Sequence, residues 1–284
     1  MRHQLNCTRK RITTILGVLL CFLLGMASLG WAEKGTTVSI STLDRVLATK
    51  KLRIGVSLFT PWTMKNAKGE LVGFEMDVGQ QLAKDIGVQP EFIAFDWEDI
   101  MPALQKGSID IIVAGMVITP QRALILNFSQ PYDTSGIGIA TNIKLTKDFS
   151  GVGDLNQPNV KLAAVTGTVS EDLTRRVFPR ATLVSYVKSE EAMQAVVSGK
   201  AHGYIELNPL PTFMVLDHPG IIDEPLSQPL LTTKAGFGVS KGEQDFLNFL
   251  NAWITARKAD AWLSSAHDYW FKSLKWREEM KKPN

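Results

Sequence analysis

Cysteine is nearly missing from this chain. Of 284 residues only Cys7 and Cys21 carry a thiol, so nothing beyond residue 21 forms a disulfide or a thiolate metal site. Of the four histidines, His202, His218 and His267 lie beyond the N-terminal segment, and their spacing matches no metal motif. No metal and no cofactor is therefore expected. No glycine-rich phosphate loop and no Gly-x-Ser-x-Gly elbow occurs, and Gly151-Val-Gly153 is too short for a dinucleotide fingerprint. Past residue 32 there is also no apolar run long enough to span a bilayer.

An excess of one charge is lacking too, once the N-terminus is set aside. Residues 1–32 hold Arg2, Arg9, Lys10 and Arg11 and no acid, followed by an apolar run from Ile12 to Leu29 and the small residues Gly30 and Ala32. This order reads as a signal peptide cleaved before Glu33. An uncleaved anchor is the alternative, opposed by Gly25, Ser28 and Gly30 inside the run; a lipoprotein reading of Cys21 is opposed by Leu20 before it. Taking the four basic residues from the chain's 31 leaves 27 against 28 acidic side chains, a net charge of −1 in place of +3. Nucleic acid is therefore not an expected partner, and the expected address is the periplasm.

What is present is an alternation of strand-like apolar runs with helical periodicity, which predicts an α/β fold. Strands are expected at Lys51–Leu58, Gln89–Phe95, Ile109–Ala114, Ile137–Thr141, Lys161–Val165, Ala181–Tyr186, Gly203–Ile205 and Ala235–Val239. Helices are expected at Glu75–Asp85, from Trp97 to about Gly107, after Thr119-Pro120, within Gly167–Arg176, at Glu190–Ser198 and twice near the C-terminus. Thr119 and Pro120 suit the N-cap and first helical position. The basic stretch from Lys272 to Lys282, interleaved with Glu278 and Glu279, reads as a solvated helix end.

Several segments together carry a family pattern. Gly73, Phe74, Glu75 and Asp77 fit G-F-[DE]-x-D; Ala114 to Arg122 followed by Phe128 to Tyr132 fits A-G-x-[ST]-x-T-x-x-R…F-S-x-P-Y; Ala163–Thr168 and Gly236–Lys241 fit later strand-loop signatures. These motifs resemble those of bacterial periplasmic solute-binding proteins of the amino-acid type, family 3, over roughly residues 43–277. The resemblance implies a type II two-lobe fold, with lobe 1 formed by 33–134 plus 237–284 and lobe 2 by 135–236. Two hinge strands would let the lobes close on a small ligand, which is then passed to the permease of an ABC importer.

The residues themselves say what such a cleft offers. Arg122, on the first turn of a helix, suits bidentate binding of a carboxylate. Phe59 and Trp62, beside a Thr-Pro turn at a strand's C-terminal end, are placed to line a ligand site. The resemblance adds Phe74 as a further ring over the ligand, with Gly115, Val117, Thr119 and Val169 around it. Gly115 permits close approach and Thr168 offers a hydroxyl donor.

Two positions depart from the pattern. Val117 stands where the family has Ser or Thr, and Leu207 where it has the aspartate that pairs with the ligand's ammonium. Either Glu206 takes that role in a shifted register, or the ligand is a carboxylate without an α-amino group. The second half also resembles cyclohexadienyl dehydratase, an enzyme on the same fold, through Asp154–Val160, His218-Pro219 and the Tyr269-Trp270…Trp276 end. That family's catalytic glutamate falls at Leu210, which removes the proton donor for elimination from prephenate. A ligand sensor that feeds no transporter is the other alternative. The expectation is a binding protein, not an enzyme.

Overall fold

The computed structural model describes residues 40–281; the expected signal peptide lies outside the described residues. Ser41 caps α1 (Thr42–Thr49), its hydroxyl accepting the Asp44 N–H, and β1 (Lys51–Ser57) follows. A small hairpin, β2 (Met64–Lys65) and β3 (Leu71–Val72), leads into α2 (Phe74–Ile86). The N-cap of α2 is Gly73 at φ 138°, where an added Cβ would lie 2.3 Å from the Trp62 carbonyl oxygen, so only glycine fits. Next come β4 (Gln89–Phe95), α3 (Trp97–Gln105), β5 (Ile111–Ile112), α4 (Pro120–Ala123) and β6 (Asn127–Phe128).

The long strand β7 (Asp133–Asn142) opens a second set. It continues with α5 (Ile143–Thr146), β8 (Lys161–Val165), α6 (Val169–Val177), β9 (Thr182–Tyr186), α7 (Ser189–Val197) and β10 (Gly203–Leu207). Then come α8 (Leu210–Asp217), β11 (Ile222–Asp223), β12 (Leu231–Ala235) and β13 (Gly238–Val239). The chain closes with α9 (Gln244–Ala259), α10 (Trp262–Asp268), a π-helical turn Tyr269–Ser273 and α11 (Lys275–Lys281).

Two mixed sheets organise these elements. The first runs β4-β1-β5-β13-β6, with β1 parallel to β4 and β5. The second runs β11-β7-β10-β8-β9, with β12 also on β7. The chain passes from the first sheet to the second between β6 and β7, and returns between β12 and β13. The two crossing segments are paired, Asp133 opposite Ala235 and Ser135 opposite Thr233.

This crossing corrects one sequence expectation. Ala235–Val239 reads as a single strand, but β12 ends at Ala235 and β13 starts at Gly238, in different sheets. A period-2 pattern gives strand character without saying which sheet receives it. The expected strand Ile109–Ala114 has ladder pairing only at Ile111–Ile112. A helix, α8, also forms within the proline-rich stretch 209–229, because Pro209 and Pro211 fall at its N-cap and second position, where no intrahelical N–H bond is lost.

The C-terminal end is not merely solvated. Trp270 Nε1 donates to Asp77 on α2 at 2.7 Å, and Trp276 Nε1 to the Trp270 carbonyl at 2.7 Å. Trp276, buried, lies 5.8 Å ring to ring from Phe213 on α8, and Arg277 bonds Asp217 at the end of α8. The last helix thus joins elements packed on the first sheet to a helix packed on the second.

Candidate functional site

A cavity of about 520 Å³ lies between the C-terminal edges of the two sheets, a size suited to a small ligand. The first lobe contributes Phe59 from the end of β1, Trp97 from the end of β4, and Ala114, Gly115 and Val117 after β5, with Arg122. The second contributes Val165, Thr168, Val169, Glu206, Leu207 and the segment 187–190.

Thr119 positions Arg122 by capping α4, its Oγ1 accepting the Arg122 N–H at 3.2 Å. Arg122 is 8% exposed; its Nη1 donates to the Val117 carbonyl at 2.9 Å and its Nη2 to the Gly167 carbonyl, in the other lobe, at 3.2 Å. Its carbon sits 5.2 Å from the centre of the Trp97 ring, within cation–π range. Burial pulls its pKa down to about 10, which leaves it a cation at neutral pH.

Opposite stands the N-terminus of the nine-residue helix α6. Thr168 is its N-cap: Oγ1 accepts the Glu171 N–H at 3.2 Å and gives its own proton to the Val165 carbonyl at 2.7 Å. The hydroxyl expected as a donor toward the cleft is therefore spent within the helix start. The donors left on this side are the first-turn backbone N–H groups beginning at Val169, where a helix favours an anion.

Glu206 does reach the cavity wall, with Leu207 beside it. It is 2% exposed; its Oε1 accepts Ser170 Oγ at 2.7 Å and the Leu207 N–H at 2.8 Å, and its Oε2 accepts the Tyr204 hydroxyl at 3.4 Å. Burial pushes its pKa up to about 7. It is a carboxyl group able to hold or release a proton near neutrality.

Phe59, Gly115, Val117, Arg122, Thr168, Val169 and Glu206 thus come together around one cavity. Trp62, Phe74 and Thr119 do not line it. Trp62 is 2% exposed and stacks behind Phe59 at 4.8 Å, with its Nε1 3.3 Å from Asp133 Oδ2. Phe74 is fully buried among Tyr132, His267 and Phe271. Large rings beside a buried strand gain more from core burial than from a cleft wall.

Trp97 is the residue that sequence reasoning missed. Its spacing with Ile100 and Leu104 reads as the apolar face of a helix, yet its ring lines the cavity and its Nε1 donates to the Gly167 carbonyl at 3.1 Å. The available signal was its place just after β4, the same strand-end logic that pointed to Phe59. Among the described residues no group of three or more His, Cys, Asp or Glu side chains converges to hold a metal, and no helix is long and apolar enough to cross a membrane.

Two α/β lobes joined by paired crossing strands, with a cavity between them, define a ligand-binding protein of the two-lobe class. The chain belongs to the bacterial extracellular solute-binding proteins, family 3, whose model matches residues 52–273. It is 28% identical over 236 residues to the ABC transporter glutamine-binding protein of Bacillus subtilis, covering 81% of this chain and 85% of that one. A solved ancestral amino acid-binding protein, a precursor of cyclohexadienyl dehydratase, is 33% identical with a TM-score of 0.74, over 82% of this chain and 100% of that chain. A putative ABC transporter binding component from Wolinella succinogenes, complexed with lysine, is 31% identical with a TM-score of 0.76, over 81% and 99%.

Proposed function

We propose that this protein binds an amino acid in the cavity between its lobes and delivers it to the permease of an ABC importer. The observation that carries this reading is the meeting of the buried Arg122 guanidinium and the first turn of α6 on one cavity, one from each lobe. A ligand carboxylate placed there takes a charge-assisted fork from one lobe and backbone N–H groups from the other, so binding draws the lobes together. Glu206 takes the ammonium that the family's aspartate would hold, Phe59 and Trp97 flank the side chain, and Gly115, Val117, Thr168 and Val169 complete the wall. The moving bodies are residues 33–134 with 237–284, and residues 135–236.

The glutamine-binding and lysine-bound relatives support an amino acid as the ligand class. The reading is of a binding protein, not an enzyme, exported through a signal peptide cleaved before Glu33; N-terminal sequencing of the exported protein checks the cleavage. A thermal-shift panel of amino acids and small organic acids tests the ligand class. A ligand at 100-fold its Kd stabilises by about 2.7 kcal/mol, and if no carboxylate in the panel raises the Tm, the reading fails.

One observation favours a second reading. Glu206, with its proton retained to about pH 7, lines the same cavity as Arg122, which is the pairing of acid and carboxylate anchor that a dehydratase needs. Leu210, where that enzyme's glutamate would fall, is buried at the start of α8. Incubation with prephenate decides: release of phenylpyruvate would establish the enzyme.

A further inference from the structure

Behind Glu206 runs a row of hydroxyl groups that the ligand contacts above do not include. Tyr204, two residues earlier on β10, is fully buried and gives its hydroxyl proton to Glu206 Oε2 at 3.4 Å. Its oxygen also lies 2.7 Å from Ser189 Oγ, and in that bond either oxygen is placed to donate. Ser189 is the first residue of α7, is buried, and lines the cavity. Glu206, Tyr204 and Ser189 therefore form one hydrogen-bonded row that starts and ends at the cavity. The cavity's other charged groups are Asp96 and Arg122 in the first lobe and Lys188 and Glu190 in the second. Of the elements packed against β10, α6 brings Glu171, whose carboxylate is held by Ser185, the Gly167 N–H and Arg175, and Asp172, which acts on Arg122. From α7, Glu190 acts on Tyr204, and no charged side chain of β7, β8 or α8 acts on Glu206.

A hydroxyl has one proton to give, so the row has two fully bonded orientations. With Glu206 ionised, Tyr204 donates to the carboxylate, Ser189 donates to Tyr204, and the Ser189 lone pairs are left for the cavity. Glu206 Oε1 already accepts Ser170 Oγ and the Leu207 N–H, so a proton on this carboxyl belongs on Oε2. It is then given to the Tyr204 oxygen, Tyr204 donates to Ser189, and the Ser189 proton is left for the cavity. The protonation of one carboxyl thus sets whether Ser189 offers the ligand a donor or an acceptor.

We propose that Tyr204 and Ser189 are positioning residues that couple a proton on Glu206 Oε2 to the cavity wall, and that a ligand ammonium binding Glu206 displaces this proton to solvent. The carboxyl O–H bond breaks, the proton passes to the buffer, and an N–H···Oε2 bond from the ammonium forms. The row reverses with it, and Ser189 turns from donor to acceptor. One positive charge replaces another, so the buried carboxyl is neutralised in both states and never stands as a bare anion. The proposal rests on the reading of the cavity as an amino-acid site, and its test separates the two.

The first arm needs no ligand. In carbon-13 spectra of the glutamate carboxyl groups, the signal missing from Glu206→Gln titrates with a midpoint near pH 7, where burial places it. Tyr204→Phe, which deletes the donor to Oε2, raises that midpoint by about 0.5–1. Ser189→Ala, which touches Tyr204 and not Glu206, raises it by less, because Tyr204 loses the bond that polarises its own hydroxyl. A midpoint that stays fixed in both variants overturns the proposal. The second arm is calorimetry with L-arginine and L-glutamine in buffers of different ionisation enthalpy. At pH 6 the wild type releases close to one proton per ligand and at pH 8 close to none, and its affinity rises about tenfold between them. Glu206→Gln releases none, and its affinity changes less than twofold. Glu75→Gln, which removes the other buried carboxyl whose pKa burial raises, to about 8, releases protons as the wild type does. Wild-type binding at pH 6 without proton release, or release that is lost in Glu75→Gln, overturns the proposal. If neither amino acid binds at either pH, the functional reading fails, and the first arm still decides whether the hydroxyl row governs the Glu206 proton.

Discussion

Arg122 and Gly167 touch across the cleft: a guanidinium nitrogen in one lobe donates to a carbonyl in the other at 3.2 Å. The bond spends part of a carboxylate anchor on closing the protein over its own cavity. Replacing Arg122 with Ala removes the anchor and leaves the Val117 and Gly167 carbonyls without this donor. Calorimetry should then show carboxylate binding weakened by at least a hundredfold, with a stability loss of about 1–3 kcal/mol and an unchanged circular dichroism spectrum. Retained affinity would mean that another group holds the carboxylate.

Trp97 donates to the same carbonyl. Trp97→Phe keeps a ring against Arg122 and deletes the N–H, so it isolates that one bond. Ligand affinity should fall by about three- to tenfold, in keeping with a net hydrogen-bond contribution of about 1 kcal/mol. Trp97→Ala, which also removes the ring from the guanidinium, should cost more. Equal effects of the two would assign the whole contribution to the N–H.

Two buried carboxyl groups make the fold sensitive to base. Burial raises Glu206 to about 7 and Glu75 to about 8 from the ordinary 4.5. The unfolded chain ionises near pH 4.5, so above that pH the native state still holds protons the unfolded state has released. Their stabilising contribution is complete below about pH 4.5 and is lost as pH rises through 7 and 8. The Tm of the ligand-free protein should fall by several degrees between pH 5 and 9. Glu206→Gln should flatten the part of that slope below about pH 7.

Much of this was legible in the sequence. Alternating apolar runs gave the α/β class, and Thr119 with Pro120 placed Arg122 on a helix start because capping is a local matter. What stayed hidden depends on contacts far apart in the chain. Helical spacing assigned Trp97 to a core face, since periodicity cannot see that β4 ends at a cavity. Trp62 and Phe74 looked like cleft aromatics, and only the packing of Phe271 and His267 against them shows them to be core. Whether Glu206 or Leu207 faces the cavity was a one-residue question of register, and at the C-terminal end of β10 both line it.

At the C-terminus, magnitude separates two neighbours. Arg277 places one nitrogen 2.6 Å from each oxygen of Asp217, but the pair is partly exposed, and such pairs contribute about 0–1 kcal/mol. Trp276 is buried against Phe213 and Trp270, where a large aromatic truncated to Ala costs about 3–5 kcal/mol. Denaturant melts should therefore show Trp276→Ala far less stable than Arg277→Ala. A ranking in the opposite order would mean that the helix is held by charge.

The same helix changes the mechanics of the molecule. Two bodies joined only by a pair of crossing strands are free to bend and also to twist about the strand axis. A second attachment, from Trp276 and Arg277 to α8, resists the twist and leaves the bend as the softer motion. Closing then approximates rotation about one axis, and the two rims return to the same mutual orientation each time. A protein ending at Leu274 should still close, but with a wider spread of lobe orientations, measurable as a broadened distance distribution between spin labels on the two lobes.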